Sequence, residues 1–299
     1  MKKTSFCPGH ITGFFQIREH KDLLRSGSRG AGLCVGLGTH CTVQAEEGEG
    51  KKTVRFAGVE VDAPVTLDAI SYILGQRKLD VVVDLVHDLP IGQGFGMSAA
   101  GALSAAHALS EIIGLPFSEA IRAAHKSELR HRTGLGDVAA LSRGGITFRR
   151  KEGVPPFGQV DRINAEPELV LCVVGDPIST AEVLSDPRKR ERLNKIGNEC
   201  VEDVSRSHLE QPHAPLSGLH EALGTGPTRS GGSGPGGGEA WAGEHGHAGQ
   251  LGLCRGGRGT VGGDAEAVRH RLPHEGRLAR TEDHRITSLS ELGIEPSLI

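Results

Sequence analysis

None of the six cysteines forms a C-x-x-C pair, so the spacing of a structural zinc site is missing. No apolar run approaches the roughly 20 residues that a membrane-spanning helix needs. None follows the two lysines of the opening MKKTSFCPGH either, so neither a secretory leader nor a membrane partner is expected. Scattered cysteines without a leader read as reduced thiols in a cytoplasmic protein. The net charge of −3 leaves no general basic field to attract nucleic acid. The P-loop string G-x-x-x-x-G-K-[ST] does not occur. The last third is short of whole residue types: no Phe or Tyr follows Phe157, no Lys follows Lys195, and no Ile lies between Ile196 and Ile286.

What is present divides unevenly. The 299 residues suffice for one large domain or two ordinary ones. AGLCVGLGTHCTVQA and KLDVVVDLVHDLP alternate in the manner of strands. SAAGALSAAHALSEIIGLP sets Leu103, Ala106, Ser110 and Ile113 at helical spacing and stops at Gly114 and Pro116. FSEAIRAAHKSELRHRTG predicts a second helix, with Ser118 near its start and Gly134 beyond its end. ELVLCVVGDPIST predicts a buried strand, and DPRKRERLNKIGNECVEDV a charged helix after it. His107 and His125 lie on the predicted helices and read as packing or surface residues.

PIGQGFGMSAAGALSAAHAL, Pro90 to Leu109, spaces three glycines ahead of a small-residue helix. Glycines let the main chain approach an anion, and the open amides and dipole at a helix start favour one. The pattern is equally that of a tight strand-to-helix turn. A dinucleotide fold would need a second strand ending in an acid about 20 residues on, whereas here one helix follows another. Asp137, in the Gly-rich stretch GLGDV, reads either as a helix N-cap or as a carboxylate aimed by its turn. Glu128 alone reads as a solvated helix acid.

Pro90 followed by Gly94-Phe95-Gly96-Met97-Ser98-Ala99-Ala100 resembles the P-x-x-x-G-L-G-S-S-A-A loop of the GHMP kinases, with Met97 in place of the first serine. CPGHITGFFQI, Cys7 to Ile17, is similar to their A-P-G-K segment, with His10 where lysine is usual. GSRGAGLCVGLG and HRTGLGDVAALSRGG extend the likeness to the archaeal-type pantoate kinase branch, over about residues 5–200.

The resemblance implies an α+β, two-domain fold. Residues 1–155 would form an ATP-binding domain of the ribosomal protein S5 domain 2-like type, and 156–299 a ferredoxin-like domain. It also implies ATP and Mg2+ as cofactors and phosphorylation of the 4-hydroxyl of pantoate on the way to coenzyme A. The loop Pro90, Gly92, Gly94, Phe95, Gly96, Met97, Ser98, Ala99 and Ala100 would wrap the ATP phosphates. Ser98 and Glu128 would hold the metal, and Asp137 would accept the alcohol's proton. His10 and Thr12 would border the acceptor pocket. Pantoate's carboxylate calls for a cation, for which Arg29 and Arg132 are rivals. The partner is a small molecule, and a homodimer is a further expectation. The alternatives are a homoserine- or mevalonate-type GHMP kinase and a non-catalytic nucleotide-binding protein.

Between Gly224 and Gly263, 17 of 40 residues are glycine. Such a stretch cannot bury enough apolar surface to offset its ordering entropy, and disorder is one expectation for it. A second is that a GC-rich gene is here read out of frame. Sliding Gly243–Gly256 forward by one nucleotide permits S-M-A-M-L-G-N-S-V-F-A, which resembles the third motif of pantoate kinases. The anomaly is expected over about 213–284, from near His213 to a compensating shift before Arg285, and to leave the chain as written with weak activity or none.

Overall fold

The structure, a computed structural model, describes residues 1–163, 169–173, 180–210, 241–242, 251–254 and 267–270. Strand-forming alternation dominates its first part. β1 (Lys2–Arg18) and β2 (Gly27–Glu47) pair antiparallel over almost their whole lengths, from Lys2 opposite Gln44 to Arg18 opposite Gly27. β1 is bulged between Pro8 and Gly9 and between Thr12 and Phe14. β3 (Lys52–Phe56), β4 (Val59–Glu60), α1 (Pro64–Leu74) and β5 (Leu79–His87) follow, with β5 antiparallel to β2 and parallel to β3. Then come α2 (Met97–Ile113), α3 (Phe117–His131), the short α4 (Asp137–Leu141), β6 (Ile146–Lys151) and β7 (Gln159–Ile163). The seven strands form one sheet in the order β4-β3-β5-β2-β6-β7, with β1 also on β2.

The sheet carries α1 and α2, and α3 packs on those two helices. The core joins Leu33, Val35, Val43, Val83 and Leu85 of the strands to Ala99, Ala100, Ala102, Ala105, Ala106 and Leu109 of α2. A helix apolar around most of its circumference belongs inside, and its alanines let it lie close to the strands. α2 therefore runs straight from the glycine loop into the core, which makes the loop a rigid platform.

α2 stops at Gly114 in the left-handed conformation (φ 74°), as the sequence indicates. α3 is capped differently from a Ser118–Gly134 reading. Pro116, already extended at φ −71°, precedes it, and Arg132 takes the left-handed position at its end (φ 55°). Gly134 serves another purpose, described below.

β8 (Leu169–Val173), α5 (Thr180–Ser185) and α6 (Pro187–Glu210) match the strand and charged helix read from the sequence. The short strands β9 (Trp241–Ala242), β10 (Leu251–Cys254) and β11 (Ala267–His270) join β8 in a second sheet ordered β11-β8-β10-β9. Apart from those three strands, the anomalous stretch 213–284 lies outside the described residues. α6 docks on β1, where Asn194 Oδ1 accepts the Ile17 N–H at 2.7 Å and Gln16 Nε2 donates to Asn198 Oδ1 at 2.9 Å.

Among the described residues, no helix is long and apolar enough to cross a membrane. Cys7, Cys34, Cys41, Cys172 and Cys200 are free, and burial pushes the Cys34 and Cys41 thiols up to about 12.

His125 is not a surface residue. It is buried in α3, and its Nε2–H faces the carbonyls of Leu23 and Ser26 at 3.1 and 3.0 Å. Burial lowers its pKa to about 4, against the opposing pull of those carbonyls. Between about pH 4 and 6.5 the unfolded chain binds a proton here that the folded chain does not, so stability rises with pH across that window. The unfolding free energy from urea titrations is expected to fall from pH 7 to pH 4.5 by an amount approaching 3 kcal/mol, at about 1.4 kcal/mol per pH unit. A H125Q variant is expected to show a flatter profile; an unchanged slope would refute the assignment.

Candidate active site

Gly92, Gly94 and Gly96 all have positive φ (79°, 79° and 66°), a conformation that side-chain-bearing residues rarely adopt. The loop alternates. Gln93, Phe95 and Met97 turn into the core, while Gly92, Gly94, Gly96 and Ser98 keep exposed surface; Pro90 is exposed and Ala99 and Ala100 are buried. Phe95, Met97 and Ala99 can therefore offer a phosphate only their amides, and the Ala100 N–H is spent inside the helix. Met97 sits against Thr39, whose hydroxyl points to its sulfur at 3.9 Å. This explains the missing serine: the position faces inward. Gly96 is the N-cap of α2, and the first helical bond runs from Ala100 N–H to Gly96 O. The amides of Met97, Ser98 and Ala99 thus lie in the unpaired first turn.

Next to this platform stand two acids. Glu128 is 2% exposed, and Ser98 Oγ and Thr133 Oγ1 donate to its Oε1 at 2.6 and 2.8 Å. Burial raises the Glu128 pKa to about 7 and Asp137 adds to the rise, while the two hydroxyls oppose it. Asp137 opens α4, with Gly136 as the N-cap, so it is not itself the cap. Burial alone would raise its carboxyl, but the His10 hydrogen bond and the charge of Arg149 hold it below the usual value. Gly134 lies between the acids. A Cβ there would run into Glu128 Oε2 and come within 2.8 Å of Asp137 Oδ2. Glycine is what lets the two carboxylates converge.

Sequence reasoning missed Arg149. It is 1% exposed, and its Nε and Nη1 have no hydrogen-bond partner. Burial lowers its pKa and Asp137 opposes that, yet a guanidinium keeps its charge. A Cβ on Gly136 would come within 2.7 Å of its Nε and would run into Ser28 Oγ, which places Ser28 and Arg149 together at the Asp137 turn. The available signal was the pair Arg149-Arg150 in a strand, since adjacent residues face opposite ways. Arg150 pairs outward with Asp161, and Arg149 faces in.

Of the remaining predicted residues, His10 joins the site, while Thr12, Arg29 and Arg132 do not. His10 is 1% exposed, and its Nδ1 lies 2.7 Å from Asp137 Oδ1. Thr12 is half-buried beside the second bulge of β1. Arg29 turns its fork on Gln16 Oε1 (3.0 and 2.6 Å) and reaches Asn198 at 3.4 Å. Arg132 is exposed at the end of α3.

A glycine loop with open amides at a helix start, a serine bonded to a buried glutamate, and an aspartate beside them are chemically suited to phosphoryl transfer. The family description "GHMP kinases N terminal domain" matches residues 65–145. The pantoate kinase of Thermococcus kodakarensis is 39% identical over 206 residues, 67% of this chain and 68% of that protein. That of Methanospirillum hungatei JF-1 is 35% identical over 191 residues, 61% of this chain and 63% of the relative, so the match spans less than two thirds of its length. A solved structure titled "Phosphotransferase related to CoA biosynthesis pathway" superposes with a TM-score of 0.61 at 32% identity, covering 76% of this chain and 77% of its own. The chain belongs to the GHMP kinase family. Within that family, the named relatives it is similar to are pantoate kinases.

Proposed function

We propose that this protein transfers the γ-phosphoryl group of ATP to the 4-hydroxyl of pantoate in the cytoplasm. The similarity to two pantoate kinases at 35% and 39% identity supports the acceptor. The observation that carries the chemistry is the convergence of Ser98, Glu128 and Asp137 at the start of α2, across the slot left by Gly134.

The amides of the glycine loop hold the polyphosphate, and α2 adds its dipole. Ser98 Oγ and Glu128 offer two adjacent hard oxygens, which fits Mg2+, an ion that takes one or two protein oxygens and completes its shell with phosphate and water. When bound, Mg2+ would offset charge on the phosphate oxygens. Asp137 receives the proton of the acceptor hydroxyl as its oxygen forms the new P–O bond. The bond to the departing ADP oxygen breaks, and the electron pair leaves with ADP. The Arg149 guanidinium, buried beside Asp137 with Nε and Nη1 unpaired, is the cation suited to pantoate's carboxylate. Orientation of both partners supplies much of the rate.

The test is ADP release and 31P NMR with ATP, Mg2+ and a panel of pantoate, homoserine and mevalonate, run on the chain as written and on a version with the frame of 213–284 restored. Pantoate is expected to be the preferred acceptor by at least about 100-fold in kcat/KM: all three acids carry a carboxylate, but homoserine brings an ammonium group toward the buried Arg149, and mevalonate sets its hydroxyl one carbon further from its carboxylate. The restored version is expected to be the more active. Preference for homoserine or mevalonate overturns the acceptor assignment. ATP binding without turnover in both versions favours the non-catalytic reading.

A further inference from the structure

Asp137 sits on a short helix between glycine-rich turns, so its backbone alone does not fix which way the carboxylate points. What does is residue 10. Its ring Nδ1 lies 2.7 Å from Asp137 Oδ1, and its main-chain N–H donates to Phe95 O, in the glycine loop, at 2.9 Å. At Gly96 a Cβ would stand 3.4 Å from both His10 Cβ and His10 O, and 3.6 Å from Asp137 Oδ1. Strand β1, the phosphate loop and the Asp137 turn therefore meet at His10. Its Nδ1 is taken by Asp137 and the Gly32 backbone closes on its Nε2, so the ring acts on the acid and not on a substrate.

The ring's protonation follows from its surroundings. An ionised carboxylate only accepts hydrogen bonds, so Nδ1 must carry the proton. Nε2 is buried with no partner, and a Cβ on Gly32 would run into it. A proton there as well would leave a charged, unsatisfied N–H in a dry seat. Burial lowers the ring's pKa, and the charge of Arg149 acts in the same sense, against the pull of Asp137.

We infer that His10 is a positioning residue: its backbone clamps the phosphate loop, while its neutral ring, as the Nδ1–H tautomer, aims the Asp137 carboxylate at the acceptor alcohol. This inference rests on the proposed kinase reading for its kinetic consequence, but not for its geometry. A lysine at this place would hold the aspartate by charge; the histidine holds it by direction, and leaves Arg149 as the cation of the site.

Two measurements test it. Long-range 1H–15N NMR of the substrate-free protein at pH 7 is expected to show His10 protonated on Nδ1 and bare on Nε2. An Nε2–H tautomer or an imidazolium would overturn the inference. Kinetically, H10N retains an amide donor near the place of Nδ1, whereas H10Q carries it about one bond further out. H10N is expected to keep kcat within about tenfold, and H10Q to lose about 100-fold, with both KM values within about threefold of the parent. Equal losses in the two variants, or a loss expressed in the pantoate KM, would overturn it. An enzyme inactive toward pantoate counts against the proposed function alone, because the tautomer measurement needs no substrate and decides the inference by itself.

Discussion

Replacing Asp137 with asparagine is expected to lower kcat by about 10³-fold, within the range that positioned general bases supply. The substitution is nearly isosteric. The asparagine carbonyl can still accept from the His10 Nδ1–H, so the Asp137 turn and the glycine loop should keep their places. ATP affinity is expected to stay within about threefold, because the loop amides and Ser98 are untouched. The loss belongs to one event: an amide cannot take the alcohol's proton. The wild-type carboxyl lies below its usual range under the influence of His10 and Arg149, so it is ionised throughout the neutral range. Its own titration should therefore contribute no limb to a pH–rate profile between pH 6 and 8. Stopped assays with excess ATP measure kcat, and calorimetry measures nucleotide affinity. A D137N enzyme retaining a tenth of the parent kcat would remove Asp137 from the role of base.

Changing Arg149 to methionine is expected to raise the pantoate KM by about 100-fold, or about 3 kcal/mol, with a smaller effect on kcat. Two guanidinium nitrogens are buried without partners. A charge held that way is costly unless something of opposite sign completes it. Asp137 offsets part of the cost through its field, and on the proposed reading the carboxylate of the acceptor would supply the missing contacts. Methionine fills a similar volume without the charge, so the substrate-free protein should be no less stable by urea denaturation. Arg29→Met gives the contrast. That fork is already spent on Gln16 and Asn198, where it ties β1 to α6. Its loss is expected to leave the pantoate KM within about threefold while lowering stability modestly. Equal KM effects in the two variants would mean that Arg149 does not receive the carboxylate.

The sequence showed the glycine loop because such a loop is local. Gly92, Gly94, Gly96 and Ser98 follow one another, and the alternation that buries Phe95 and Met97 while exposing the glycines is a property of consecutive residues. The strands Gly27–Glu47 and Leu79–His87, and the helices Met97–Ile113 and Phe117–His131, were legible for the same reason, through period and punctuation. The likeness of residues 65–145 to one family was legible as well, since it rests on short motifs in order.

Depth and long-range pairing were not legible. His125 reads as an ordinary helix residue until the loop before Gly27 folds over it. Arg149 is one of two adjacent arginines until the strand fixes which one faces inward. His10 and Asp137 stand 127 positions apart, and no spacing rule joins them. By itself the sequence determined where an anion could rest and where an acid could be aimed. That Arg149 is the buried arginine, and that His10 meets Asp137, were decided only by tertiary structure, because burial and the meeting of distant segments have no period along a chain.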